Sequence, residues 1–166
     1  MYRHVYEDVE MLKGNVTGLL RLGVIPTIAP YLLPNMVQDF ANRCPNVELE
    51  IREMITPDII KAMEHDHIDA AVVAGGTCPD GIVEDDLCDD RFYAYVSPNH
   101  MLASRSNVRV EDIDMKDMLL LSEGNCFRDQ ILEFCHSRNL GKRASYYFES
   151  GSLETLMRVV DATDFM

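Results

Sequence analysis

The sequence predicts an α/β fold built on a parallel sheet, from three observations. Between Leu19 and Ala74, runs with the period of a strand alternate with runs of helical period, a few residues apart. Strands separated by helices return to the same end of a sheet and so pair in parallel. The chain has 166 residues and is 47% hydrophobic, enough to bury a real core.

The elements follow in order. Over residues 2–13, Val5, Val9 and Leu12 share one helical face and Gly14 stops the run, so the segment reads as the tail of a longer helix. Leu20, Leu22 and Val24 alternate with Leu19, Arg21 and Gly23 in a strand that ends at Ile25-Pro26, with Thr27 at its carboxyl end. A helix is expected from Pro30 to about Arg43, its prolines 30 and 34 confined to the first turns and Leu33, Val37 and Phe40 facing inward. After Pro45-Asn46, Val47, Leu49 and Ile51 alternate with Glu48, Glu50 and Arg52 in a half-exposed strand. Thr56-Pro57-Asp58 reads as N-cap, N1 proline and acidic first turn of a helix reaching about His65. Ile68–Ala74 is a short apolar strand closed by Gly75-Gly76.

The second half begins with a stretch rich in Asp and Glu. Phe92–Val96 is expected to be a strand stopped by Pro98, and residues 98–117 a loop with one short helix near Val110 to Ile113. Met118–Leu121 reads as a buried strand that delivers the chain to Gly124-Asn125-Cys126 at the start of the next helix. In open α/β sheets, reactive groups gather beyond the carboxyl ends of strands, which is where this places Cys126. Ser145 to Glu149 makes a further strand, and Ser152 caps a last helix with Leu153, Leu156 and Val160 inside.

The helix opening at Cys126 carries a second cysteine, Cys135, nine positions on. Nine helical residues rise about 13.5 Å and turn roughly 900°, putting the two sulfurs on opposite faces. A disulfide needs its Cα atoms about 4.4 to 6.8 Å apart, so joining the pair requires the segment between them to unwind. A cysteine in a first helical turn meets the positive end of the helix dipole, which favours the nucleophilic thiolate, and Arg128 adds positive charge nearby. Cys126 is therefore the candidate reactive sulfur, and Cys135, with Leu132 and Phe134 near it in the sequence, the candidate resolving thiol. Read from the residues alone, the commoner role of such cysteines is that of small buried hydrophobes, and spacing by itself favours that role over a switch.

Composition narrows the function classes. With 28 acidic against 15 basic residues and a net charge of −13, these residues do not themselves grip nucleic acid, which demands a surplus of lysine and arginine. No apolar run approaches the roughly 20 residues that span a bilayer, and the N-terminus has no signal-peptide core, so a cytoplasmic protein without membrane contact is expected. Five cysteines in no Cys-x-x-Cys pair are neither a disulfide framework nor a zinc site. His65 and His67 lack a third metal ligand and sit where a helix end favours histidine. Asp85, Asp86, Asp89 and Asp90 lack the glycine and glutamate of a calcium loop, so a solvated acidic stretch is expected. Cys44, Cys78 and Cys88 read as bystanders, and the ten methionines as core filling or an interface. No cofactor or metal is called for.

Several runs together resemble the regulatory domain of LysR-type transcriptional regulators, in particular their peroxide-sensing members: Leu22-Gly-Val-Ile-Pro-Thr27, Pro30-Tyr-Leu-Leu-Pro34, Gly124-Asn-Cys126 with Arg128-Asp129-Gln130, Phe134-Cys135, and Ser152-Leu-Glu-Thr-Leu156. The resemblance implies two Rossmann-like subdomains of the kind found in periplasmic binding proteins, residues 15–90 and 91–166, after a linker-helix end at 1–14. It also implies that both subdomains are incomplete here, since in that family the second continues and the chain then returns to complete the first. By the same resemblance, Cys126 is the peroxidatic thiolate and Cys135 its disulfide partner. Thr27, Thr56, Gly124 and Asn125 hold hydrogen peroxide, and Arg128 stabilises the thiolate and the leaving hydroxide. Asn125 stands where such sensors carry a histidine; an amide donates a hydrogen bond but does not titrate. The implied partners are a second copy of the chain (a dimer, or a tetramer in full length), a thiol reductant of glutaredoxin or thioredoxin type, and DNA and RNA polymerase through the full-length protein alone. Two other functions fit less of the pattern: a LysR-type module binding a small anion with structural cysteines, and a thiol peroxidase.

Overall fold

The computed structural model describes residues 16–136, 148 and 150–166, with the main chain alone of Cys135 and His136. The expected helix over residues 2–13 and strand over 145–149 lie outside, or almost wholly outside, the described residues. Two compact units divide the chain, one running to Val73 with Thr77–Pro79, the other comprising Ala74–Gly76 and Asp80–Met166. The acidic stretch through residue 90 belongs to the second.

In the first unit, β1 (Gly18–Val24), α1 (Ala29–Arg43), β2 (Val47–Glu53), α2 (Thr56–Glu64) and β3 (Ala70–Val72) alternate as read from the sequence. The three strands form a parallel sheet in the order β2-β1-β3, with Leu22 opposite Ile51 on one side and Ala70 on the other. Period-two alternation along β1 sends Leu22 and Val24 to a core with Ala29, Leu33 and Met36 of α1 and with Leu49, Ile51, Ala70 and Val72. Gly23 faces the other way, where a Cβ would lie 2.9 Å from Ile68 Cδ1, just past α2, and 3.4 Å from Ile59 Cγ1 within α2. Helices thus cover both faces of β1, which explains its nearly continuous apolar run.

Four local expectations are corrected. The inward stripe of α1 is Ala29, Leu33 and Met36, while Val37 is exposed; a helix presents i, i+4 and i+7 together, and the stripe is registered on Ala29. Pro34 lies within α1 beyond its opening turn. Thr56 is not the N-cap: Ile55 holds that place with an extended backbone, and its carbonyl accepts from the Asp58 and Ile59 N–H groups at 3.0 Å each. β3 is only three residues long, Ala70–Val72, although the Asp69 N–H just before it still donates to the Arg21 carbonyl of β1 at 2.8 Å. Arg21 donates from Nη2 to Asp69 Oδ1 at 2.6 Å, from Nε to Oδ2 at 3.1 Å and from Nη1 to the Asp66 carbonyl at 2.7 Å. Asp66, in the left-handed region at φ 54°, makes the turn that this clamp fastens to β1.

The second unit contains a 3₁₀ turn (Val110–Asp112), α3 (Cys126–His136) and α4 (Leu153–Asp161) among its described residues. Leu156 and Val160 of α4 are buried, and Ser152 Oγ accepts from the Thr155 N–H at 3.3 Å, the cap read from the sequence. The strands expected at Phe92–Val96 and Met118–Leu121 are irregular segments with no ladder among the described residues. A strand needs successive partners; here single bridges replace them, Ser97 N–H to Phe165 O at 3.1 Å, Leu119 N–H to Met166 O at 2.8 Å and Met166 N–H to Asp117 O at 2.9 Å. Leu121 is nonetheless fully buried, so the hydrophobic reading of that run holds. No described helix is long and apolar enough to cross a membrane.

Candidate functional site

The turn before α3 is built from short-range bonds. Gly124 has φ 87°, a left-handed conformation that only glycine adopts cheaply, and it swings the chain from the 118–122 segment into the helix. Asn125 takes the capping position: its carbonyl accepts from the Arg128 N–H at 3.0 Å and the Asp129 N–H at 3.3 Å. Its side chain turns back instead of capping, Nδ2 donating to the Ser122 carbonyl at 3.0 Å and to Ser122 Oγ at 3.3 Å. Ser122 is itself tethered through its N–H to the Ser150 carbonyl at 2.8 Å. Asn125 is 4% exposed, so this buried amide is a fixed part of the turn.

Cys126 follows as the first residue of α3, a buried free thiol at 9% exposure. Its position puts it beside the N–H groups that have no partner inside a helix, a place that favours negative charge. Arg128 is partly buried, its Nη1 donating to the Leu121 carbonyl at 3.0 Å, which holds the guanidinium against the segment under the helix start. α3 is continuous from Cys126 to His136, so the nine-residue separation of Cys126 and Cys135 is helical. The Cys135 side chain lies outside the described residues.

Thr27 and Thr56 belong to the first unit, and Gly124, Asn125, Cys126 and Arg128 to the second. Thr27 stands in the partly buried turn between β1 and α1. Thr56 is buried, and its Oγ1 has no hydrogen-bond partner among the described residues. Within the second unit the structure brings together Gly124, Asn125, Cys126 and Arg128 in one turn and helix start. Among the described residues no group of three or more His, Cys, Asp or Glu side chains is placed to hold a metal ion.

Sequence reading missed two participants. Ser122, which fixes Asn125, left no motif. The ring of Phe92 packs on Phe127 at 5.4 Å and on Phe134 at 5.3 Å between centroids; the spacing of Phe127 and Phe134 is visible in the sequence, but their meeting with Phe92 is not.

A family model described as the LysR substrate binding domain matches residues 13–166. The chain belongs to the LysR substrate-binding domain family. This LysR-type domain is 30% identical over 167 residues to the hydrogen peroxide-inducible genes activator of Haemophilus influenzae, covering 96% of this chain and 55% of the relative. Among solved structures it is similar to a cysteine-to-serine variant of Corynebacterium glutamicum OxyR bound to hydrogen peroxide, with TM-score 0.85, 28% identity, and coverage of 97% of this chain and 52% of that one. It is also similar to the reduced form of the OxyR regulatory domain from Pseudomonas aeruginosa, with TM-score 0.75, 30% identity, and coverage of 87% and 66%. The LysR-type domain spans about half the length of the curated relatives it matches.

Proposed function

We propose that this LysR-type domain is the redox-sensing half of a transcription factor that responds to hydrogen peroxide. The observation that carries the reading is Cys126: a buried free thiol opening a helix that holds Cys135 nine residues further on. In the first step the Cys126 thiolate attacks one peroxide oxygen, the O–O bond breaks, and the sulfur becomes a sulfenic acid as hydroxide leaves. A hydrogen-bond donor on the departing oxygen assists, the role given to Arg128, with Thr27, Thr56, Gly124 and Asn125 holding peroxide. In the second step the Cys135 sulfur attacks the sulfenic sulfur, forming the disulfide and releasing water. A thiol reductant of glutaredoxin or thioredoxin type supplies the two electrons that restore both thiols.

The disulfide cannot form on an intact α3, so oxidation remodels the segment from Gly124 to residue 140 and changes how two regulatory domains pack. DNA and RNA polymerase are reached through the longer protein, whose regulatory subdomains are residues 15–90 and 91–166 after a linker-helix end at 1–14. The protein works in the cytoplasm as a homo-oligomer, and it is a receptor, cycling once per signal, not an enzyme. The test is mass mapping under non-reducing conditions before and after a brief micromolar peroxide pulse. A Cys126–Cys135 link that is absent in Cys126→Ser is the expected result. Modification spread over all five cysteines, or none, would overturn the reading.

A second reading, a receptor for a small anion, is supported by one observation: the buried Thr56 hydroxyl without a partner among the described residues. Saturable binding of a small carboxylate by a chain inert to peroxide would favour it.

A further inference from the structure

Phe127 directly follows Cys126, and Phe134 directly precedes Cys135. Seven residues apart on a helix, they fall on the same side, about 10.5 Å apart along its axis. A single ring from outside the helix contacts both: Phe92 lies 5.4 Å from Phe127, tilted by 37°, and 5.3 Å from Phe134 in an edge-to-face arrangement at 82°. Both geometries are ones that aromatic pairs prefer. The segment bearing Phe92 is anchored to the rest of its unit, with Tyr95 Oη donating to Asp161 Oδ1 at 2.6 Å at the end of α4, and Ser97 N–H donating to the Phe165 carbonyl at 3.1 Å.

Phe92 thus spans the stretch of helix that must unwind before Cys126 and Cys135 can meet. While α3 is helical, one ring satisfies two; once the helix melts, Phe127 and Phe134 part and at least one contact is lost. Phe92 is about half exposed, so the cluster is a clasp on the surface of the unit and not a piece of its core.

We propose that Phe92 is a latch that holds α3 helical and thereby sets the rate at which oxidised Cys126 is captured by Cys135. Its rate consequence rests on the peroxide reading above; its structural content does not. Phe92 acts by positioning. The first chemical step, sulfenic acid formation, occurs on the intact helix and does not feel the latch. The second, in which Cys135 displaces hydroxide from the sulfenic sulfur and water leaves, requires the helix to open and does feel it.

The test compares Phe92→Ala, Phe92→Leu and Phe92→Tyr in the whole chain, by two readouts. Amide hydrogen exchange is followed in α3, with α4 of the same unit as the internal reference for folding. Loss of two aromatic contacts in Phe92→Ala should speed α3 exchange roughly tenfold relative to α4, with Phe92→Tyr near wild type and Phe92→Leu between. Quenched-flow mapping after a peroxide pulse should show the disulfide forming roughly tenfold faster in Phe92→Ala. Sulfenic acid trapping in a Cys135→Ser background should be unchanged. Unaltered α3 exchange overturns the latch whatever the cysteines do. A wild-type chain that links its cysteines at the same rate as Phe92→Ala overturns the kinetic role and leaves the peroxide reading intact. A wild-type chain that never forms the link overturns that reading and the rate consequence with it, while exchange still decides whether Phe92 holds the helix.

Discussion

At Thr56 a hydroxyl is buried and finds no hydrogen-bond partner among the described residues. Leaving such a group unsatisfied costs about 1–3 kcal/mol, so the fold carries this threonine at a loss. Thr56→Val, nearly the same shape without the hydroxyl, should raise stability by about 1 kcal/mol in urea unfolding. If the hydroxyl holds peroxide, the same substitution slows oxidation of Cys126, and the two effects run in opposite directions. Unchanged oxidation together with unchanged stability would remove Thr56 from the site. The residue type was legible in the sequence; its lack of a partner was not, because Thr56 was expected to cap α2, and it is the extended backbone of Ile55 that opens the helix.

Among the elements, α4 shows how far local chemistry reaches. Its cap is Ser152, its buried face Leu156 and Val160, and its C-terminal Asp161 receives the Tyr95 hydroxyl. Ser152→Ala removes the hydrogen bond to the Thr155 N–H and should cost about 1 kcal/mol, read as a lower urea midpoint with unchanged slope. α3 is governed differently. Gly124 and Asn125 shape its start locally, but its persistence through Cys135 draws on Phe92, distant in sequence. Short isolated helices are marginal in water, and packing of one face supplies most of their stability. The exposed aromatic contact on α3 therefore acts on the stretch that a Cys126–Cys135 link would have to open.

For the whole molecule the ionised groups define a pH window. The Arg21 guanidinium, by side-chain hydrogen bonds and then by its N–H, holds the Asp69 carboxyl below its ordinary value. Asp112 is lowered in the same sense, first by the Arg109 N–H and then by Arg105. A carboxyl with a depressed folded pKa contributes stability that is complete above its unfolded value, about 4, and lost as pH falls through the folded value. Tyr95 moves the other way: donating to Asp161 raises its phenol, so its contribution is complete below about pH 10 and lost as pH rises through the raised value. The urea midpoint of Asp69→Asn should fall less steeply than that of wild type below about pH 4, and the two profiles should run parallel at neutral pH and above. Identical acid limbs would mean that the Arg21 clamp contributes nothing to folding.

By itself the sequence determined what short-range physics controls: the alternation of β1, α1, β2, α2 and β3, the parallel pairing that follows, the cap of α4, and the placing of Cys126 at a helix start with Cys135 out of its reach. Period, prolines and capping residues act within one or two turns, so they can be read without knowing what lies across the molecule. Only the tertiary structure decided which groups meet. Phe92 reaches Phe127 and Phe134, Asn125 spends its amide on Ser122, and the Asp69 carboxylate closes on the Arg21 guanidinium. The runs at 92–96 and 118–121 have no ladder among the described residues for the same reason. A strand is completed by partners distant in the chain, and no local pattern specifies whether those partners are there.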